Sequence, residues 1–107
     1  MISESDAQNC VDWLRDTAEA TAMARANRIY LEEYRKSLKA ICMKKHLDKA
    51  VSAQEREAYS DPEYIAHLEV IKKAVHAEQK ALFLKEAASA KLEVFRTLSA
   101  NYRGIRV

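Results

Sequence analysis

This chain of 107 residues contains one proline, Pro62, and one glycine, Gly104. Turns draw heavily on those two residue types, so their near absence leaves few places where the backbone reverses. A single glycine also excludes every glycine-rich phosphate loop. The two cysteines, Cys10 and Cys42, would stand roughly 48 Å apart along one helix at 1.5 Å per residue. That is beyond the reach of a disulfide, and no metal-type cysteine spacing exists. Two idle thiols suit a cytoplasmic protein. No apolar run is long enough to span a membrane. The opening MISESDAQNC is polar and acidic, which excludes a signal peptide.

What the chain has is helix-forming residues. It is 49% hydrophobic and 32% charged, rich in Ala, Glu, Lys, Arg and Leu, the composition of long-helix and coiled-coil proteins. Ser3 or Ser5 is suited to cap a first helix, with acids near its positive end. The helical pattern then runs unbroken to about Ala50. Ser52 and Glu55 have capping-box spacing and open a short turn through Tyr59. Asp61 caps a second long helix that starts at Pro62 and runs to about Tyr102, ended by Gly104. The expectation is one all-α domain over residues 1–107. It is a long antiparallel, coiled-coil-like helical hairpin, with a helix at 3–50, a connection at 51–61 and a helix at 62–102.

Two long helices bury a limited core, so association is expected. Trp13, Ala20, Ala24, Asn27, Leu31, Tyr34, Leu38 and Ile41 follow heptad spacing along the first helix. Asn27 is either a register-fixing polar residue within that seam or a solvent-lined one. The second helix carries one stripe at Leu68, Ile71, Val75, Leu82 and Leu92. Another runs through Val70, Ala74, Ala77, Ala81, Leu84, Ala88, Phe95, Leu98 and Tyr102. One hairpin partner covers one stripe, so the second is assigned to a homo-oligomer interface and the hairpin to a helical bundle.

The formal net charge of +2 hides blocks. Residues 1–24 and 50–71 are acidic, while residues 25–49, 72–91 and the tail with Arg96, Arg103 and Arg106 are basic. Segregated charge points to polyanion contact or head-to-tail pairing. Arg25, Arg28, Arg35, Lys36 and Lys39 fall within about 100° of arc on one helix face. Lys73, Lys80 and Lys85 lie on the returning helix. Tyr30 and Tyr34 are interleaved with the first cluster and offer rings for base stacking. Together these offer a surface for nucleic acid, against the commoner outcome of a solvated helix face.

Enzymatic chemistry has little support. His46, His67 and His76 lack metal spacing, and Glu63 with His67 supplies two ligands where a site needs more. No serine has an oriented base. No catalytic residue, cofactor or metal is expected.

Ser60-Asp61-Pro62-Glu63-Tyr64 and Leu92-Glu93-Val94-Phe95-Arg96-Thr97-Leu98-Ser99-Ala100-Asn101 resemble segments of small all-helical proteins of tailed bacteriophages and prophages. That resemblance covers about half the chain and implies a phage source and a bacterial cytoplasm. A looser similarity is to phage recombination mediators, which oligomerise, bind single-stranded DNA and load a recombinase past a single-strand-binding protein. It rests on a long lysine-rich first helix, a mid-chain break and a C-terminal helix suited to assembly. It implies a recombination or replication accessory, with a recombinase or single-strand-binding protein as partner. The rival reading is a phage protein that captures or inhibits a host or phage protein through its apolar stripe around Val70, Ala77, Ala81 and Leu84.

Overall fold

The computed structural model describes residues 2–106, with side chains through Gly104. The Arg106 side chain, part of the basic tail, lies outside the described residues. Helix α1 spans Glu4–Met43, α2 spans Val51–Tyr59 and α3 spans Pro62–Arg106, with a 3-10 turn at Lys44–His46. Among the described residues every regular element is helical.

The helix starts follow from local chemistry. At the head of α1, Ser3 Oγ accepts from the Asp6 backbone N–H, and Asp6 Oδ2 accepts from the Ser3 N–H, both at 3.1 Å. This reciprocal pair satisfies two orphan donors. At the head of α3, Asp61 Oδ1 accepts from the Glu63 N–H at 2.9 Å, and Pro62 fills the first helical position, where a missing N–H costs nothing. Ser52 does not cap α2. That helix starts two residues earlier, with Ala50 as its cap and no side-chain hydrogen bond there; instead the Gln54 side-chain amide donates to the Lys49 carbonyl at 2.8 Å.

Two helix ends differ from expectation. The first helix closes at Met43, short of Ala50, and tightens into the 3-10 turn with Lys44, Lys45 and His46. Gly104 lies inside α3, with a negative φ. A glycine ends a helix only when its backbone turns left-handed, and here it does not.

The chain forms two compact units, residues 1–22 with 79–107, and residues 23–78. In the second, inward positions of α1 are Ala24, Arg28, Leu31, Leu38 and Cys42, and those of α3 are Tyr64, His67, Ile71, Ala74 and Glu78. Both follow heptad spacing, with one step of seven between Leu31 and Leu38. Leu38, Cys42, Ala58 and Tyr64 form its buried cluster, and Ala58 brings α2 into it. In the first unit, Ala7, Cys10, Leu14, Thr17 and Thr21 turn inward, as do Ala81, Ala88, Leu92, Phe95 and Ser99. The two threonines there satisfy their hydroxyls on their own helix, Thr17 to Trp13 O at 2.8 Å and Thr21 to Thr17 O at 3.0 Å.

The seam therefore runs beside the predicted one. Ala24, Leu31 and Leu38 belong to it, while Trp13, Ala20, Asn27, Tyr34 and Ile41 are exposed along its flank. The polar pair in the seam is half-buried Arg28 with buried Glu78. The second stripe of α3 also divides. Ala74, Ala81, Ala88 and Phe95 pack within the chain, leaving Val70, Ala77, Leu84 and Leu98 exposed.

Asp61 links the α3 cap to the turn before it. Lys45 Nζ reaches Asp61 Oδ2 at 2.9 Å. The Lys45 ammonium, with the Glu63 N–H, holds the Asp61 carboxyl below its ordinary range. A carboxyl lowered on folding stabilises the protein above its unfolded value, and that contribution is lost as pH falls through the folded value. Thermal melts are expected to show Asp61→Asn lowering Tm by about 5 °C at neutral pH. The gap to the native chain should narrow as pH falls below about 4.

Candidate nucleic-acid interface

The cations predicted to share one surface meet different fates. Arg28 turns into the seam. Its Nε donates to Glu78 Oε2, its Nη2 to Glu78 Oε1 at 3.3 Å, and its Nη1 to Glu32 Oε2 at 2.9 Å. Glu78 is only 4% exposed, and its carboxylate raises the proton affinity of Arg28. Arg28 is thus committed to carboxylates and is removed from the set of phosphate contacts. Its neutralisation by Glu78, fifty residues away, leaves no local trace in the charge count.

Arg35, Lys36 and Lys39 line one cleft of about 370 Å³ together with Tyr59 and Tyr64. Arg35 is exposed and has no ion pair among the described residues. The Lys36 ammonium is 3.0 Å from Glu33, with its side chain 73% exposed, a pairing that solvent screens. Lys39 is more fixed. Its ammonium stands 4.7 Å from the centre of the Tyr59 ring and 3.6 Å from Glu55. Tyr59, seconded by Glu55, raises its proton affinity, so Lys39 stays a cation throughout the physiological range. Tyr64 closes the floor of the cleft and meets Tyr59 edge-on, with ring centres 5.5 Å apart.

Helix α2 supplies the aromatic wall, and sequence reasoning assigned the stacking role elsewhere. Tyr30 and Tyr34 stack on one another at 6.2 Å, and Tyr34 lies edge-on to His67. Tyr30 sits roughly 120° around the helix from Lys36, so this tyrosine pair points away from the cationic cleft. The available signal for Tyr59 was its position four residues after Glu55, which puts both on one face of a short helix. Which side of α1 that face meets is decided by Ala58, whose small side chain fits against Cys42 and Leu38.

Arg25, Lys73, Lys80 and Lys85 are exposed and have no ion pair among the described residues. Arg25 and Lys73 belong to the same unit as the cleft, whereas Lys80 and Lys85 belong to the other. None of the four lines the cleft.

His67 is buried and accounted for. Its Nε2–H donates to the Leu31 carbonyl at 2.7 Å. Near the turn, Cys42, Asp61 and Glu63 bring one ligand atom each within 4.8 Å of one another. The Lys45 ammonium already stands among them, 2.9 Å from Asp61 and 3.6 Å from Glu63. Burial, seconded by Asp61, pushes the Cys42 thiol up, away from the thiolate a metal requires.

The unit of residues 1–22 and 79–107 carries an open groove of about 750 Å³. Val11, Leu92 and Phe95 are among its apolar lining, and Glu4, Arg96 and Arg103 are its charged lining residues. Arg96 is 2.8 Å from Glu93 on its own helix, and Asp12 and Asp16 pair with Arg15. No helix among the described residues is long and apolar enough to cross a membrane. No family model matches this chain, and no curated protein or solved structure matches it.

Proposed function

We propose that this protein is a non-enzymatic accessory factor that binds single-stranded DNA and works as an antiparallel helical hairpin assembled into an oligomer. One observation carries the reading: Arg35, Lys36 and Lys39 converge with two tyrosines in a single cleft. Cations of this kind position a strand through its phosphates without reading its sequence, and a partly exposed tyrosine offers a face for one base. The resemblance of residues 60–64 and 92–101 to phage helical proteins supports the same setting, a phage-encoded factor in recombination or replication. A recombinase or single-strand-binding protein is then the natural partner. Exposed apolar residues of α3, Val70 and Ala77 in one unit and Leu84 and Leu98 in the other, would serve self-association.

Fluorescence anisotropy with a labelled oligo-dT strand tests the reading. Binding is expected at low salt, with affinity falling as salt rises, and the double variant Arg35→Ala with Lys36→Ala should weaken it at least tenfold. Absence of binding at tens of micromolar protein and low salt would sink the proposal.

A second reading has its own observation. The groove lined by Arg96 and Arg103 with Val11, Leu92 and Phe95 suits an acidic amphipathic segment of a host or phage protein. Under that reading the protein is an interaction factor, and substitutions at Arg35 and Lys36 leave its activity unchanged.

A further inference from the structure

We infer that the cleft of Arg35, Lys36, Lys39, Tyr59 and Tyr64 holds one terminal phosphate of a nucleic-acid strand, a phosphate monoester, in preference to a run of internal phosphodiesters. The inference rests on the strand-binding reading and narrows it.

The argument begins with the extent of the positive surface. Arg35 to Lys39 is five residues, about 6 Å of helix axis, and the open cleft has a volume of about 370 Å³. That space suits a single nucleotide. On either side several neighbouring cations are paired, while Lys44 and Arg56 are exposed and have no ion pair among the described residues. Arg28 is held by Glu78 and Glu32, Lys45 by Asp61 and Glu63, and Lys49 by Glu57 at 3.5 Å. Arg25, the next unpaired arginine along α1, is ten residues from Arg35, about 15 Å along the axis. A strand lying along the helix would meet Arg35, Lys36 and Lys39 together in one cleft, with ion-paired Arg28, Lys45 and Lys49 beyond them.

The chemistry of the cleft fits a group with concentrated charge. A phosphodiester carries one negative charge. A terminal monoester carries about −1.5 to −2 at neutral pH and three acceptor oxygens. Arg35 offers a planar fork of donors with no competing carboxylate among the described residues. Lys36 and Lys39 add point charges that they share with Glu33 and Glu55. Lys39 is held over the Tyr59 ring and beside Glu55, so one cation is positioned before a ligand arrives. Charge-assisted hydrogen bonds of this type strengthen with the charge on the acceptor. The same chemistry would be offered by a free nucleotide, so the source of the phosphate is part of the test.

Three labelled oligo-dT strands of one length are compared by anisotropy at low salt: a 5′-phosphorylated strand, a 3′-phosphorylated strand and one with two hydroxyl ends. At least one phosphorylated strand should bind about tenfold tighter than the hydroxyl strand. Excess inorganic phosphate or adenosine monophosphate should reduce that advantage, with the free nucleotide competing more strongly if it is itself a ligand. Arg35→Ala, with its helix content checked by circular dichroism, should erase the difference between strands. Equal binding of all three strands would overturn this inference while leaving strand binding intact. Failure of all three to bind would overturn the strand-binding reading and this inference with it. A phosphate-dependent advantage that survives both competitors and Arg35→Ala would show that the end is held elsewhere, and would overturn the assignment to this cleft.

Discussion

Arg28→Met is expected to lower Tm by about 10–20 °C, a larger loss than Glu78→Met produces. The asymmetry follows from burial. Removing Arg28 leaves the Glu78 carboxylate, 4% exposed, without its cation. Removing Glu78 leaves an arginine whose side chain is 23% exposed and still 2.9 Å from Glu32; that guanidinium stays partly hydrated and partly paired. A buried charge without a partner is the costly species, whereas replacing both members of a buried pair with apolar residues of similar volume is often neutral or stabilising. The double variant Arg28→Met with Glu78→Met should therefore melt close to the native chain. Its fixed register is expected to loosen, because one buried polar pair admits a single alignment of the two helices and a methionine pair tolerates several. Thermal melts of the two single variants and the double variant give the coupling directly. Equal losses in the two single variants, or a double variant no better than Arg28→Met, would contradict this account of the seam.

Tyr64→Ala should be the most damaging single truncation in the core, costing about 3–5 kcal/mol. Tyr64 is buried against Leu38, Cys42 and Ala58, and its ring meets Tyr59 edge-on. Its loss opens a cavity where α2 docks, and the helix that carries Tyr59 and Glu55 loses its seat. The effect should reach the cleft as well as the core. Lys39 would lose the tyrosine and carboxylate that hold it, so strand affinity is expected to fall even at temperatures where the variant remains helical. Urea melts followed by circular dichroism report the first effect, and anisotropy in the folded range reports the second. A variant that melts early yet binds the strand with native affinity would separate the core from the cleft.

These two positions also mark where the sequence was readable. Helix starts were legible because they depend on a few adjacent residues: Ser3 with Asp6, and Asp61 with Pro62 and Glu63. The long uninterrupted helices follow from having one proline and one glycine. The seam was misplaced because pattern reading follows apolar residues, and this seam contains Thr17, Thr21, Arg28, His67 and Glu78. Each is tolerated there because its polar atoms are satisfied, by its own helix, by a backbone carbonyl or by a partner far along the chain. Trp13, Tyr34 and Ile41 flank the seam and carry the more conspicuous heptad. In the same way, counting charges identified Arg35, Lys36 and Lys39, but a count does not distinguish a free cation from one held by a distant acid. Arg28 and Lys45 are in the same basic block and are both committed to carboxylates of α3 or its cap. Tyr59 became part of the cleft through the docking of α2, a tertiary event with only the Glu55 and Tyr59 spacing as its local sign.

The most direct test of the central claim, that a short cleft of three cations binds a single strand, is the salt dependence of oligo-dT affinity. For single strands the logarithm of the binding constant falls by about 0.7 per neutralised phosphate for each unit of log salt. Three cations neutralise at most three phosphates, so the slope should be no steeper than about −2, and about −0.7 where the cleft seats a single phosphate. In the Arg35→Ala, Lys36→Ala variant, which keeps Lys39, it should be no steeper than about −0.7. A slope of about −5 or steeper would show that the strand engages a long basic track. No measurable binding would remove the nucleic-acid reading altogether.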